Sequence, residues 1–256
     1  MEPPDLDSRR GILHPEAAER HFRLTRYAPS EDLAHLVDRH WVVEWNLERP
    51  FTQEIVTHPS FHMVFEPDAD LIYGVVTQRF RRQLRRSGIA VATKFRPGGF
   101  HPFHPVSAHT LTDRTIPVCD VFAPMAIEGD ERQRSAAMEA GMRAHAPADD
   151  PRVDEIGELY AAILADPDLR RVDQLCSLAG YSKRTLQRLF REYVGVSPKW
   201  VLQRIRLHEA ADRMADGEGD WAGLAIELGY FDQAHFIKAF KAAIGRSPAD
   251  YAVATG

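Results

Sequence analysis

GYFDQAHFIKAFKAAIGRSP, residues 229–248, restates GYSKRTLQRLFREYVGVSP, residues 180–198. Gly180 and Tyr181 match Gly229 and Tyr230 at an offset of 49, while Phe190, Gly195, Ser197 and Pro198 match Phe240, Gly245, Ser247 and Pro248 at an offset of 50. One residue has therefore been inserted into the second copy, and the chain carries an internal repeat near its end.

Each copy reads as helix, turn, helix. In the first, Val172, Leu175, Leu178 and Ala179 give a short helix an apolar face, Gly180 permits a left-handed stop, and Ser182 is both a cap for the next helix and a candidate DNA contact. There Leu186, Leu189 and Phe190 point inward, while Lys183, Arg184, Gln187, Arg188 and Arg191 line the outside. Arginine pairs bidentately with guanine and glutamine with adenine, and surplus positive charge binds phosphate. In the second copy Leu224, Ile226 and Leu228 build the first helix, and Phe236, Ile237, Phe240 and Ile244 anchor the second. Gln233, His235, Lys238 and Lys241 are its outward candidates. From Ser182 to Arg206 there are seven basic residues against one acid, Glu192, so a basic stripe sits in a chain of net charge −5. Between the copies, Ser197-Pro198 starts a helix that runs toward Gly217, about 27 Å long. Such a rod would set two recognition helices into successive major grooves, so that a monomer reads about two turns of duplex. Lys199 and Arg206 on this rod are expected at phosphates.

Ahead of residue 120 the chain reads as strands. HWVVEWNL puts Trp41, Val43, Trp45 and Leu47 on one face; FHMVFE, LIYGVVT and IAVATKF follow, broken by turn signals. SEDLAHLVDR, residues 30–39, reads as a helix. An Ala, Pro and Asp-rich linker near residues 145–151 divides a β-rich domain with a helical tail, 1–148, from an all-α domain, 149–256. The fold class is thus α+β multidomain. No apolar run reaches the length of a membrane span. MEPPDLDSRRG lacks the apolar centre of a signal peptide, and Cys119 and Cys176 stand far apart, which together predict a cytoplasmic protein with reduced thiols.

The stretch from about Val172 to Tyr251 resembles the DNA-binding domain of the AraC/XylS transcriptional regulators, with both quoted segments falling on its two helix-turn-helix units. Phe231 stands where many members carry a small polar cap, so Asp232 is expected to cap the helix instead of reading a base. TKFRPGGFHPF and LTDRTIP are similar to a less characterised N-terminal type found with such regulators. The resemblance implies a cupin-like β-barrel that senses a small-molecule effector or mediates dimerisation. Its implied partners are double-stranded DNA and RNA polymerase, with a homodimer as a further form, and no membrane.

The effector candidates are Trp41, Trp45, His62, Tyr73, Phe95, Arg96, His101 and His104. The aromatic members also fit a plain barrel core. His101 and His104, with His58 or His62, raise the alternative of a metal-dependent cupin-type enzyme fused to a DNA-binding module, but no carboxylate completes the set nearby and no metal or other cofactor is expected. A regulator without a small-molecule effector is the remaining reading. Neither cysteine lies in the motif that methyl-transfer repair needs. RFRRQLRR, residues 79–86, reads as a hairpin with a solvated basic face.

Overall fold

The structure, a computed structural model, describes residues 18–145, 149–215, 217 and 219–255. The amino-terminal MEPPDLDSRRG and residues 146–148 of the linker lie outside the described residues.

Among the described residues the first half holds eight strands: β1 Phe22–Tyr27, β2 Val37–Asn46, β3 Phe51–Ile55, β4 His62–Phe65, β5 Asp70–Tyr73, β6 Phe80–Leu84, β7 Ser87–Phe95 and β8 Thr115–Pro117. Six form an antiparallel sheet in the order β1-β2-β7-β4-β5-β8, and β3 pairs with β6 in a second, two-stranded sheet. Among the described residues no ladder joins the two sheets. The predicted helix over residues 30–39 is corrected: only a 3-10 turn, Glu31–Leu33, forms there, and from Val37 the chain is strand. Pairing of β2 with both β1 and β7 overrides the local helical pattern, and a bulge falls between Val37 and Arg39.

The two faces of the large sheet differ. One carries Val37, Val42, Met63, Phe65, Ile72, Val91 and Phe95, all buried in the main core. Helix α1, Glu131–His145, packs there through Met138 and Met142. It is pinned by Glu139, which accepts from the Ser30 amide (2.7 Å) and pairs with His40 Nε2 (3.1 Å). The opposite face carries Trp41, Val43 and Trp45 on β2, set against Ala92, Ala90 and Gly88 on β7. The small residues leave room for the large ones: a Cβ on Gly88 would lie 2.3 Å from the Trp45 ring.

Helices α2 Pro151–Ala165, α3 Val172–Ala179, α4 Lys183–Tyr193, α5 Pro198–Ala215, α6 Trp221–Glu227, α7 Gln233–Ile244 and α8 Pro248–Thr255 complete the chain. The long helix expected between the repeats is α5, 18 residues. Leu178 and Ile226, expected on buried helix faces, are 58% and 68% exposed, a correction. Leu175 and Leu224 already fill the positions that face the core, and the outer turns of such short helices stay in solvent. One apolar core runs from Phe103 and Leu111 of the first domain into Leu186, Phe190 and Val201 of the second, while Phe236, Phe240, Ile244 and Tyr251 centre another under the second repeat.

Candidate functional site

The repeat is realised with near-identical local chemistry. Gly180 ends α3 at φ +67, and the Ser182 hydroxyl accepts from the Thr185 amide (3.2 Å) to start α4. Gly229 follows α6 at φ +75, and the Asp232 carboxylate accepts from the His235 amide (2.7 Å) to start α7. Phe231 is the inserted residue, and the expectation that Asp232 caps the helix matches this geometry. Ser182 is accordingly a capping group. Ser197 and Ser247 repeat the device at α5 and α8, accepting from Trp200 and Asp250 amides, each at 3.2 Å.

On α4, Leu186, Leu189 and Phe190 are buried, while Lys183, Arg184, Gln187, Arg188 and Arg191 are exposed along the other side. On α7 the same split leaves Gln233, His235, Lys238 and Lys241 exposed over buried Phe236 and Phe240. Lys199, in the first turn of α5, is exposed too. These cationic and amide side chains fit the edges and phosphates of a duplex. Arg206 does not join them, a correction: it is half-buried and directed at the turn after α6, its Nη1 3.4 Å from where a Gly229 Cβ would be. Its position on α5 faces the second unit instead of solvent. Phe231, 90% exposed at the entrance to α7, is the interface candidate that composition alone did not reveal.

The first domain sits on the carboxyl ends of both recognition helices. After α4, Gly195 (φ +91) brings its carbonyl to the Thr112 hydroxyl (2.7 Å), and a Cβ there would lie 3.0 Å from the Ala108 carbonyl oxygen. After α7, the equivalent Gly245 (φ +85) lies under the Arg79 guanidinium. Between them, Arg204 on α5 donates to the Thr77 carbonyl (2.8 Å), and His208 meets the Thr57 carbonyl (3.1 Å) and stacks on His58 at 4.2 Å. The exposed faces of α4 and α7 remain outside these contacts.

The effector candidates separate into two groups. Trp41, Trp45, His62 and Tyr73 share the sheet face that looks toward β3 and β6: Phe80 meets Tyr73 edge-on at 5.9 Å, and Phe51 lies 6.4 Å from Phe22. The others are elsewhere, a correction. Phe95 points to the opposite face, fully buried against Phe100 and Phe103, because strand alternation sends it away from Lys94. Arg96 donates to the Ala34 carbonyl (2.7 Å). His101 lies against Tyr193 at 4.1 Å with the rings tilted by 32°, and His104 lies beside Phe100.

What sequence missed is a charged cluster between the sheets. Lys94 lies opposite His62 and reaches Asp38 (3.1 Å), whose carboxylate also takes Arg39 (2.8 Å). Burial opposes the charge on Asp38, but Lys94 and Arg39 outweigh it and hold its carboxyl at about 2. Burial, joined by Lys94 and Arg39, pushes His62 down to about 3, so its ring is neutral. Yet His62, Trp41, Trp45 and Tyr73 are only half-buried, so this face of the sheet is less closely packed than the opposite one. The signal was a lysine in the otherwise uncharged IAVATKF. The run at residues 79–86 is engaged with acids: Arg79 and Arg81 with Glu54, Arg82 with Glu66. Its strand pairs with β3, not with β7 as a hairpin would. Among the described residues no group of three His, Cys, Asp or Glu is placed to hold a metal, and no helix is long and apolar enough to cross a membrane.

Comparison with known proteins agrees with this geometry. The family described as "Helix-turn-helix domain" matches residues 175–253, and "Domain of unknown function (DUF6597)" matches residues 25–117. The chain is 35% identical over 91 residues to an uncharacterized HTH-type transcriptional regulator of Haemophilus influenzae, covering 35% of this chain and 30% of that one. It is 34% identical over 80 residues to a putative AraC-like transcription regulator of Streptomyces antibioticus, covering 31% and 26%. Among solved structures it is similar to ToxT from Vibrio cholerae, at 12% identity and a TM-score of 0.41 over 92% of this chain and 100% of that one. The C-terminal domain thus matches a helix-turn-helix family, and the relatives it resembles include AraC-like transcription regulators. A DUF6597 domain precedes that module, and the chain spans about 30% of the length of the first curated relatives it matches.

Proposed function

We propose that the protein is a sequence-specific DNA-binding transcriptional regulator whose N-terminal domain binds a small-molecule effector. The observation that carries this is the pair of helix-turn-helix units with their polar faces exposed, one of them a stripe of arginines. In this reading α4 does most of the base reading through Arg184, Gln187 and Arg188, with Lys183 and Arg191 at phosphates. α7 contributes Gln233, His235, Lys238 and Lys241, and Phe231 is placed for a thymine methyl. Lys199 adds a backbone contact. The space between the sheets, lined by Trp41, Trp45, His62, Tyr73 and Lys94, is the effector pocket.

The curated relatives carry regulator names, which supports a non-enzymatic role; a cytoplasmic location and RNA polymerase as a partner are parts of the same proposal. Division into a sensor, 1–148, and a DNA-binding domain, 149–256, is part of the same reading, and a homodimer would double the operator. Selection of duplexes from a random library by the full chain tests it. An enriched motif of about two turns is expected, lost on Arg188→Ala; recovery of no motif would sink the proposal.

A further inference from the structure

The turn of the second unit, Gly229-Tyr230, is ringed by arginines. A Cβ on Gly229 would lie 3.2 Å from Arg170 and 3.4 Å from Arg206. Arg204 is 3% exposed, covers the Trp200 ring at 4.5 Å and donates one Nη to Thr77, but its other Nη is buried without a partner. The same holds for Nη2 of Arg206 and for the hydroxyl of Tyr230, itself 7% exposed. Arg170 has Asp168 at 3.0 Å. Among the described residues neither Arg204 nor Arg206 has a carboxylate within 4.0 Å. Asp113 acts on Arg204 through space, yet its two oxygens are taken by the amide and hydroxyl of Thr77, at 2.7 and 2.5 Å.

The electrostatics agree. Burial pulls Arg204 down to about 10 and lowers Arg206, and it pushes Tyr230 up to about 12 against the pull of both arginines. Asp113 acts on Arg204 and Glu209 on Arg206 only through space, and two guanidiniums withdrawn from water with no carboxylate in contact are costly, while the arginine fork matches the oxygens of a carboxylate or phosphate. We infer that Arg204, Arg206 and Tyr230 form a binding site for a small oxyanion at the junction of the N-terminal domain and the second helix-turn-helix unit. Entry is past Arg206, which is half-buried, and the exposed Gly229. None of the three residues lines the space between the sheets, and Tyr230 adjoins the face assigned to DNA, its ring meeting His235 edge-on at 5.4 Å. An anion there would join Arg204, fixed to Thr77 of the first domain, to the turn that aims α7.

The test is thermal unfolding of the full chain with sodium phosphate, sulfate or acetate replacing chloride at constant ionic strength. A saturable rise in melting temperature is expected with at least one of the three oxyanions, and which one distinguishes a phosphate from a carboxylate source. Arg204→Met should abolish the dependence while melting no lower than the parent in chloride. Tyr230→Phe removes only a hydroxyl and keeps the test decisive if the arginine variant fails to fold: the half-saturating concentration should rise about fivefold, one hydrogen bond's worth. The inference is overturned if no oxyanion stabilises the parent beyond chloride, or if both variants keep the parent's half-saturation.

Discussion

Arg184, Arg188 and Gln187 are exposed on one side of a helix whose other side is anchored by Leu186, Leu189 and Phe190. Replacing Arg188 with Ala should weaken binding to the selected operator by about 1 to 3 kcal/mol and relax the preference at one base pair. Lys199→Ala should weaken all sequences alike and reduce the salt dependence of binding, as titrations at several salt concentrations would reveal. Inside the first domain His62 sets a pH response. Its folded pKa is depressed from the ordinary 6.5 to about 3, so stability is complete above about pH 6.5 and falls as the unfolded chain takes up a proton that the folded one refuses. The slope is about 1.4 kcal/mol per pH unit for that one group. His62→Phe should flatten the denaturation curve between about pH 6 and pH 4, leaving the contributions of His40, which burial lowers against the pull of Glu139, and of His101, which burial lowers against Asp150 and Glu192. The arginine stripe was legible in sequence because helical spacing alone sorts it. Lys94, Asp38 and Arg39 were not, because their meeting depends on the register of β2 against β7 and on a bulge.

At the scale of elements, both units were legible down to their caps: Gly180, Ser182, Asp232 and Ser247 perform the local tasks their types suggest. Asp232→Ala should cost about 1 kcal/mol of stability by leaving the His235 amide without its acceptor, measurable by urea denaturation. Gly195→Ala and Gly245→Ala both place a side chain in left-handed backbone, worth roughly 1 to 2 kcal/mol each. The first should be worse, since its Cβ would press on the Ala108 carbonyl and the Thr112 hydroxyl, whereas the second meets the movable end of Arg79. The helix expected at residues 30–39 shows where such reading stops. Leu33, Leu36 and Val37 carry a helical spacing, yet the last of them starts a strand held on both sides by others.

At the scale of the molecule, the linker near residue 148 suggested two independent bodies, but the buried side chains do not respect it. Leu36, Phe103 and Leu111 share one core with Leu186, Phe190 and Val201. A fragment from residue 151 onward retains every residue assigned to DNA, and it should still bind the operator, but with freshly exposed apolar surface it should melt below the full chain. Calorimetry of the full chain should show a single transition, and two well-separated peaks would contradict the shared core.

Gly195 and Gly245 occupy equivalent places in the two repeats, and the same domain rests on both. In the proposed reading that arrangement works as a caliper: the first domain, touching both recognition units, braces the distance that α5 spans between them. Successive base pairs are only about 3.4 Å apart. A change in that domain of a few ångströms would therefore shift which operator spacing fits, without altering any base the protein reads.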